Sequence, residues 1–531
     1  MKKTIQKLMA ALLAVAMVCA MAIPAFADNT ENIRDHHSFN AFQIFKGNVS
    51  EDNQKISNVE WGKNITKPTD FLEKLNADST IGGKFNGATT VQDVLAVISQ
   101  WHDSDDNSIA FARFVCHYLY SGDVDQGVSI PSSGDVVQIP TDGAGYYLIV
   151  DTTDFGDGDS YHAYNSFLLN VTKAPFNLPI KPKAEKPSVK KEVFDNPDGT
   201  SNEAGFGSSA DHAINEPFQF KLTATLPASN DRAYDYYKYY KGVFSDTMSE
   251  GLTFDEIESV TIKSGSATKT LTDSDYEYTS KPTTNSFELA ISDVKTLVAN
   301  LNSGAEITVL YKAHLNEKAT VNTAGGPATT DNKNSVFLQY SNNPRISTSL
   351  DQTTTSEVYV FTYQLSNTKH QNTEDGPALE GAGFRLYSDA DCKNEVTLYE
   401  KDGFYFPVKD AADKTAVEMK SAADGTFNVK GLDAGTYYLK ETSTPTGFNT
   451  CPVTTVVIKA NHTGNNVNLN GSTINGKDVG ASGLSTTIVN KQGTTLPSTG
   501  GMGTTLFYVI GGGLMVAAIV LLVTKKRMEN K

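Results

Sequence analysis

Short segments in which apolar and polar residues alternate with a period of two recur through most of the chain. Examples are "PFQFKLTATL" at 217–226, "AEITVLYKAHL" at 305–315 and "GTYYLKETS" at 435–443. This period places alternate side chains on opposite faces of a β-strand. Turn residues such as Gly, Asn and Pro separate the segments, which is typical of a protein built from many short strands. The pattern therefore predicts an all-β fold.

The length of 531 residues suits several domains of ordinary size between two terminal segments. Regularly spaced strands predict immunoglobulin-like β-sandwiches, three in series. Helical spacing at 89–120 predicts a helical insertion in the first of them. Four prolines within 174–191 favour an extended connector after it. The predicted segments are a signal peptide at 1–27, a first domain at 28–180, a linker at 181–186, a second domain at 187–355, a third domain at 356–492 and a C-terminal segment at 493–531.

Both ends of the chain indicate export. Three lysines precede an apolar run and the small-residue sequence "AFA" that ends at Ala27, which is the layout of a cleavable secretory signal. An apolar stretch at 506–523 is long enough to cross a bilayer and is followed, after Thr524, by "KKR". Since the basic cluster stays in the cytoplasm, everything before this stretch is expected outside the membrane.

The composition excludes several classes of function. The chain has 61 Asp and Glu against 45 Lys and Arg, a formal net charge of −16, so nucleic acid is not an expected partner. The histidines His36, His37 and His162 show no zinc-binding spacing, and three aspartates at 154–159 fit no established calcium loop. No metal and no cofactor is predicted.

Four cysteines are too few for a disulfide scaffold. Cys19 lies in the signal, and Cys116 lies alone in a helical pattern. We predict a disulfide between Cys392 and Cys451, which belong to the same domain, with two free buried thiols as the alternative.

In the predicted third domain, charged and amide side chains continue the apolar faces of three strands. Lys369 follows the row of Phe361, Tyr363 and Leu365 in the first strand, and Glu441 follows Tyr437 and Leu439 in a middle one. Asn490 ends the last strand on the face of Leu484 and Ile488. Burying an unpaired charge is costly, so an inward charged side chain is usually neutralised, paired or functional. A lysine, an acid and an amide that all point inward would together form one complete reactive set.

The predicted second domain repeats this arrangement. Lys191 shares a strand face with Val189 and Val193, Asp246 with Phe244 and Met248, and Asn334 with Val336, Leu338 and Tyr340. Desolvation would lower the pKa of each lysine and raise the pKa of each acid. A neutral lysine could then attack the asparagine carbonyl while the protonated acid polarises it, and ammonia would leave.

The sequence "LPSTGG" stands before the apolar stretch, and with the span and the basic tail it resembles the sorting signal of Gram-positive surface proteins. Its pentapeptide is Leu496, Pro497, Ser498, Thr499 and Gly500. The resemblance implies that sortase cuts between Thr499 and Gly500, after transient membrane retention, and that the Thr499 carboxyl is joined to an amine. It places the mature protein on the cell wall, with peptidoglycan among its partners.

A second resemblance covers nearly the whole mature chain. The segments "VKKEV", "FSDTMSEGLTF" and "NSVFLQYSNNP" resemble the isopeptide-forming second domain of sortase-assembled pilins. The segments "LEGAGFRLY", "GTYYLKETSTPTGF" and "TTIVNKQ" resemble the collagen-adhesin B-type domain, and "AFQIFKG" with "VEWG" resembles the pilin N-terminal domain. This resemblance implies a major pilin subunit that polymerises with identical subunits and supports adhesion, with host surface ligands as further partners. The resemblance implies that the protein is not an enzyme with turnover, and that each of these two domains forms one isopeptide bond within itself.

Such pilins use a lysine after a proline, just before the second domain, as the amine for the next subunit. The sequence "IKPK" offers Lys183 after Pro182, although Lys181 replaces the usual aromatic residue before the proline. Lys183 is the predicted lysine, and Lys181 and Lys186 are the alternatives. A monomeric wall-anchored adhesin and an ancillary basal pilin are the alternative functions.

Overall fold

The computed structural model describes most of the chain between residues 37 and 530. The described residues are 37–50, 56–102, 105–120, 127–130, 132–133, 136–139, 143–153, 166–172, 176–178, 186–196, 205–226, 237, 239–298, 301, 304–322, 328–343, 348–408, 415–479, 483–493 and 503–530. Within them the structure is mostly β, in several sheets with helices in the first domain and at the C-terminal end. The predicted signal peptide lies outside the described residues.

The first domain is a sheet covered by helices on one face. Its strands are β1 (Phe39–Val49), β2 (Ile56–Trp61), β3 (Val128–Ile130), β4 (Ser132–Ser133), β5 (Val136–Ile139), β6 (Gly145–Asp151), β7 (Phe167–Val171) and β8 (Phe176–Leu178). The main sheet has the order β2-β1-β6-β7, with β3 paired to β1, and β4-β5-β8 form a separate small sheet. This arrangement gives one broad face for the helices to cover.

Helices α1 (Pro68–Ala77), α2 (Val91–Ile98) and α3 (Asp106–Tyr120) follow β2, so the predicted helical insertion is present. The first turn of α1 carries a proline, and α2 begins with a capping box in which Thr90 and Asp93 satisfy each other's backbone N–H groups. Apolar side chains of these helices, such as Phe71 and Phe111, share a core with the sheet.

The second domain is a sandwich of two sheets. Its strands are β9 (Ser188–Asp195), β10 (Gly205–Gly207), β11 (Ser209–Asp211), β12 (Pro217–Thr225), β13 (Gly242–Met248), β14 (Leu252–Ser264), β15 (Ala267–Thr270), β16 (Glu277–Lys281), β17 (Ser286–Ile291), β18 (Glu306–Leu315), β19 (Ala328–Thr329), β20 (Lys333–Ser341), β21 (Leu350–Gln352) and β22 (Ser356–Phe361). One sheet has the order β10-β9-β12-β18-β14-β15, and the other has the order β11-β22-β20-β13-β17-β16 with β21 beside β20. The alternating rows of β12 and β18 face inward and fill the space between the sheets.

Strand β22 belongs to this second sandwich, which differs from the sequence prediction. The predicted boundary at 355/356 puts β22 in the third domain, but it pairs with β20, and Val358 and Val360 lie in the core of the second. Only Thr362 separates β22 from the next strand. A local pattern of alternation cannot show which sheet a strand will join, because that choice depends on its pairing partner.

The third domain is a second sandwich. Its strands are β23 (Tyr363–Gln371), β24 (Gly383–Tyr387), β25 (Glu395–Val396), β26 (Leu398–Lys401), β27 (Phe404–Pro407), β28 (Met419–Lys420), β29 (Val429–Leu432), β30 (Gly435–Ser443), β31 (Thr454–Ile458), β32 (Asn461–Thr463), β33 (Asn466–Asn468), β34 (Thr473–Ile474), β35 (Lys477–Asp478) and β36 (Ser485–Asn490). One sheet has the order β26-β27-β29-β23-β36, and the other has the order β25-β24-β30-β31-β34-β35 with β28 beside β24. Strands β32 and β33 lie outside both and form a small sheet with β19, in the order β19-β33-β32. The apolar rows of β23, β24 and β30 meet in its core.

The second and third domains share a polar junction that the sequence does not predict. Tyr363 donates to Asp211 Oδ2 over 2.8 Å, and His462 Nε2 lies 3.4 Å from Asp195 Oδ2. Ser209 Oγ and His462 Nδ1 are 2.8 Å apart. One carboxylate oxygen each of Asp195 and Asp211 and one ring nitrogen of His462, atoms of the kind that bind metal ions, all lie within 4.8 Å of one another, and these three side chains are buried. The junction is therefore held by buried, mutually compensating polar groups.

The predicted disulfide between Cys392 and Cys451 is wrong, because both cysteines are free in the structure. Cys392 lies in a turn beyond Tyr387, at one end of the β24–β30 pair, with φ at 54°. Cys451 lies near Glu441, at the other end of the same pair. Burial raises the pKa of the Cys451 thiol to about 12, which keeps it protonated and unreactive. Neither thiol is fully buried, in contrast to Cys116.

Helix α4 (Gly503–Glu529) follows the third domain. Its part from Leu506 to Glu529 is long enough to cross a membrane and contains an 18-residue window with a mean hydropathy of 2.6, none of which is buried inside the structure. Lys526 and Arg527 lie in its last turn. These properties agree with the predicted membrane-spanning segment and basic tail.

Candidate reactive sites in the second and third domains

Three strands of the second domain bring Lys191, Asp246 and Asn334 into its core. Lys191 lies on β9 of one sheet, two residues before the buried Val193. Asp246 and Asn334 lie on the neighbouring strands β13 and β20 of the opposite sheet, where Asn334 is the register partner of Met248. Alternation turns all three side chains to the space between the sheets, where Asp246 and Asn334 are 0 % exposed.

A tyrosine hydroxyl joins these three residues. Lys191 Nζ donates to Asp246 Oδ2 and, over 2.8 Å, to the hydroxyl of Tyr311 on β18. Tyr311 donates to the same Asp246 oxygen over 3.1 Å, and Asn334 Nδ2 donates to Tyr311 over 2.6 Å. Within the described residues, Asp246 Oδ1 and Asn334 Oδ1 have no hydrogen-bond partner. Lys191 and Asn334 therefore both donate hydrogen bonds to the Tyr311 hydroxyl oxygen.

Burial pushes this lysine and this acid toward their neutral forms. Desolvation lowers the pKa of Lys191 to about 8, although Asp246 opposes the change. Desolvation also raises the pKa of Asp246, against the opposing effect of Lys191. The rings of Phe220 and Tyr311 lie 5.4 and 5.3 Å from Lys191 Nζ. An uncharged amine beside an uncharged carboxylic acid is what a nucleophilic lysine needs.

Tyr311 is the residue of this site that the sequence reasoning missed. It lies on the inward row of "AEITVLYKAHL" with Ile307, Val309 and Ala313, a pattern that indicates only apolar core. A buried tyrosine hydroxyl usually finds a polar partner. A tyrosine in an otherwise aliphatic inward row was the available signal.

In the third domain the corresponding side chains are arranged differently. Lys369 on β23 and Asn490 on β36 lie in the same sheet, because these two strands are parallel neighbours. Glu441 lies on β30 of the facing sheet. Lys369 and Asn490 are 0 % exposed and Glu441 is 4 % exposed. A Lys–Asn bond would therefore join neighbouring strands here, whereas in the second domain it would join the two sheets.

The contacts in the third domain run directly from lysine to amide to acid. Lys369 Nζ donates to Asn490 Oδ1 over 2.5 Å, and Asn490 Nδ2 donates to Glu441 Oε1 over 2.6 Å. The backbone N–H of Cys451 donates to Glu441 Oε2 over 2.7 Å. Desolvation lowers the pKa of Lys369, and the ring of Phe384 lies 5.8 Å from its Nζ. The hydrogen bond from the Cys451 N–H thus orients the Glu441 carboxyl toward the Asn490 amide.

The structure brings both predicted sets of lysine, acid and asparagine together in the described residues. The remaining predicted site residues, Leu496 to Gly500 and Lys183, lie outside the described residues, as does the alternative Lys181. The alternative Lys186 is described, and its Nζ lies 3.7 Å from Asp351 Oδ2.

Three family models match successive parts of the chain. Residues 224–344 match the model for Gram-positive pilin backbone subunit 2, a Cna-B-like domain. Residues 364–473 match a prealbumin-like fold domain, and residues 488–530 match the LPXTG cell wall anchor motif. The last match includes the pentapeptide and α4.

A curated relative and solved structures are similar over longer stretches. The trypsin-resistant surface T6 protein of Streptococcus pyogenes serotype M6 is 26% identical over 409 residues, which cover 65% of this chain and 70% of the relative. The solved T6 backbone pilin of that serotype is 16% identical, with a TM-score of 0.47, over 88% of this chain and 100% of that one. The group B streptococcus pilus 2b backbone protein is 23% identical, with a TM-score of 0.41, over 58% of this chain and 99% of that one.

The three matched family models have the same domain types, in the same order along the chain, as the domains of the structure. The pilin backbone model falls on the second sandwich, the prealbumin-like model on the third, and the anchor model on the segment that ends in the apolar helix. The chain is a cell-wall-anchored backbone subunit of a Gram-positive pilus, a structural protein that sortase polymerises.

Proposed function

We propose that this pilus subunit forms an internal isopeptide bond in each of its two C-terminal domains. Lys191 would be joined to Asn334 with Asp246 as the acid, and Lys369 to Asn490 with Glu441 as the acid. The observation that carries the proposal is the repeated placement of a buried lysine amine within hydrogen-bonding reach of an acid–amide set. Two different sheet arrangements arrive at this same set of side chains.

The chemistry is an amide exchange that each domain performs once. The neutral lysine amine attacks the side-chain carbonyl carbon of asparagine, and the amide nitrogen leaves as ammonia. In the second domain, Asp246 protonated at Oδ1 would donate a hydrogen bond to Asn334 Oδ1 as Lys191 attacks. This bond would satisfy both oxygens, which have no partner within the described residues. The acid is regenerated, so the domain is its own substrate and the protein is no enzyme with turnover.

The bonds between subunits would use residues outside the described part of the chain. Sortase would join the Thr499 carboxyl to a lysine of the next subunit, and Lys183 after Pro182 is the proposed lysine. The sequence order supports this choice, since Lys183 precedes the second domain, where the resembling pilins carry their lysine. Binding of host surface ligands stays a prediction from the sequence.

Peptide mass mapping tests the internal bonds directly. The full chain, digested after denaturation, should yield one cross-linked peptide pair that contains Lys191 and Asn334 and another that contains Lys369 and Asn490. Each pair should weigh about 17 Da less than the sum of its peptides, because one ammonia has left. Asn334→Ala should abolish the first pair and keep the second, and Asn490→Ala should do the reverse. Recovery of all four peptides unlinked from the folded wild-type chain would refute the proposal.

A further inference from the structure

The Tyr311 hydroxyl touches every member of the second-domain site. It lies 2.8 Å from Lys191 Nζ, 3.1 Å from Asp246 Oδ2 and 2.6 Å from Asn334 Nδ2, and the residue is 0 % exposed. Within the described residues, no hydrogen bond joins Asp246 directly to Asn334. The path from the acid to the amide therefore runs through this hydroxyl.

The third domain needs no such intermediary. Glu441 Oε1 accepts directly from Asn490 Nδ2 over 2.6 Å. Aspartate is one methylene shorter than glutamate, and in the second domain the acid contacts the lysine instead of the amide. The tyrosine hydroxyl there lies between the lysine amine and the amide nitrogen, the two groups that must exchange a proton.

We propose that Tyr311 is a catalytic residue of the second domain, whose hydroxyl carries a proton from the attacking Lys191 amine to the departing Asn334 nitrogen. This inference rests on the proposed isopeptide bond and adds a residue to its mechanism. Tyr311 contacts both reacting nitrogen atoms, so its role is direct.

The step balances without any further reagent. Neutral Lys191 Nζ bonds to Cγ of Asn334, and the carbonyl electron pair moves to Oδ1. The positively charged Nζ then passes a proton to the Tyr311 oxygen, while the hydroxyl proton turns from Asp246 to Nδ2. The carbonyl re-forms, the Cγ–Nδ2 bond breaks, and ammonia leaves. Tyr311 ends with one proton, as it began, and Lys191 keeps one hydrogen on the new amide.

The surroundings keep Tyr311 in the form that such a relay requires. Desolvation, with the nearby Asp246 as a smaller cause, raises the pKa of the Tyr311 phenol well above its usual value. A neutral hydroxyl both accepts and donates a hydrogen bond, whereas a phenolate only accepts. The ring is held by Phe220 and Phe287, whose centroids each lie 5.2 Å from that of Tyr311. The hydroxyl is thus fixed in place beside both nitrogens.

The test compares Tyr311→Phe with Tyr340→Phe in the full chain. Tyr340 is also buried in the second domain, and it donates to Asp351 over 3.0 Å, away from the site. Each chain is recovered unfolded from inclusion bodies and refolded in detergent, and peptide mapping follows the two cross-links with time. Tyr311→Phe should slow the Lys191–Asn334 cross-link about 100-fold or more, as expected for loss of a proton-transfer group. Tyr340→Phe should leave that rate unchanged.

The Lys369–Asn490 cross-link in the same chain is the internal control for folding. An unchanged rate of the second-domain bond in Tyr311→Phe overturns the relay, while a wild-type chain without that bond overturns the proposed function itself. If Tyr311→Phe does not fold, the wild-type rate in mixtures of H₂O and D₂O decides. A curved dependence on the deuterium fraction is expected, because two protons move together, and a linear dependence overturns the proposal.

Discussion

At the scale of single residues, burial changes the chemistry of ordinary side chains. An exposed lysine is a cation at neutral pH, but Lys191 lies between two sheets with its side chain out of contact with water. Its acid partner is buried as well, so neither group is stabilised in its charged form by solvent. The core therefore favours the neutral form of both groups.

We expect the second-domain bond to form faster as the pH rises toward the lowered pKa of Lys191. The attacking amine must be neutral, and its neutral fraction falls about tenfold for each pH unit below about 8. The rate of the Lys191–Asn334 cross-link during refolding should rise with pH below about 8 while Asp246 keeps its proton, and it should fall at higher pH where that carboxyl ionises, because the mechanism needs the neutral amine and the protonated acid together. Peptide mapping of samples quenched in acid measures this rate. A rate that falls neither at low pH, where Lys191 is charged, nor at high pH, where Asp246 is ionised, would contradict this mechanism.

At the scale of strands, the period of two predicted which side chains would enter the cores. Phe361, Tyr363 and Leu365 are buried in one row with Lys369, as the pattern required. The partner sheet of β22 and the contacts of Tyr311 were beyond the sequence, because both depend on strands distant in the chain. The same holds for His462, which meets Asp195 across the domain junction. Local alternation defines faces, and tertiary pairing decides what those faces meet.

The third-domain bond should stabilise its sandwich by closing a long loop. Lys369 and Asn490 are 121 residues apart, and a disulfide that closes a loop of that order contributes roughly 3–5 kcal/mol. Asn490→Ala should lower the free energy of unfolding of this domain by about that amount, measured by denaturant titration. Asn470→Ala, at an exposed position, is the matched control and should change little. Equal stability of the two variants would contradict a covalent link.

Close packing at the junction gives a second prediction for the strands. Gly431 on β29 has φ at +85°, and a Cβ there would lie 2.6 Å from Ile214 Cδ1 of the second domain. Gly403 has a similar φ of +78° but open space around it. Both alanine variants share the backbone strain, so Gly431→Ala should be less stable than Gly403→Ala by about 1–3 kcal/mol, the usual effect of overpacking. Thermal unfolding measures the difference, and equal stabilities would show that the junction yields.

At the scale of the whole molecule, the polymer should depend on one lysine and one threonine. Cell-wall extracts boiled in denaturant should show a ladder of covalent multimers on a gel. Thr499→Ala should abolish the ladder, because the pentapeptide then no longer matches the LPXTG motif that sortase recognises, and Lys183→Ala should collapse it to monomer. Lys181→Ala and Lys186→Ala are the matched controls and should keep it. A ladder that survives Lys183→Ala would move the assignment to one of those neighbours.

The single residue between β22 and β23 affects how a pilus built from this subunit responds to tension. Thr362 is buried, and its hydroxyl donates to Leu432 O over 3.1 Å, so the chain passes from one sandwich to the next without slack. Extension at this point would require strands to leave their sheets. This joint should therefore add almost no compliance, and the contour length contributed by the two sandwiches should stay constant until one of them ruptures.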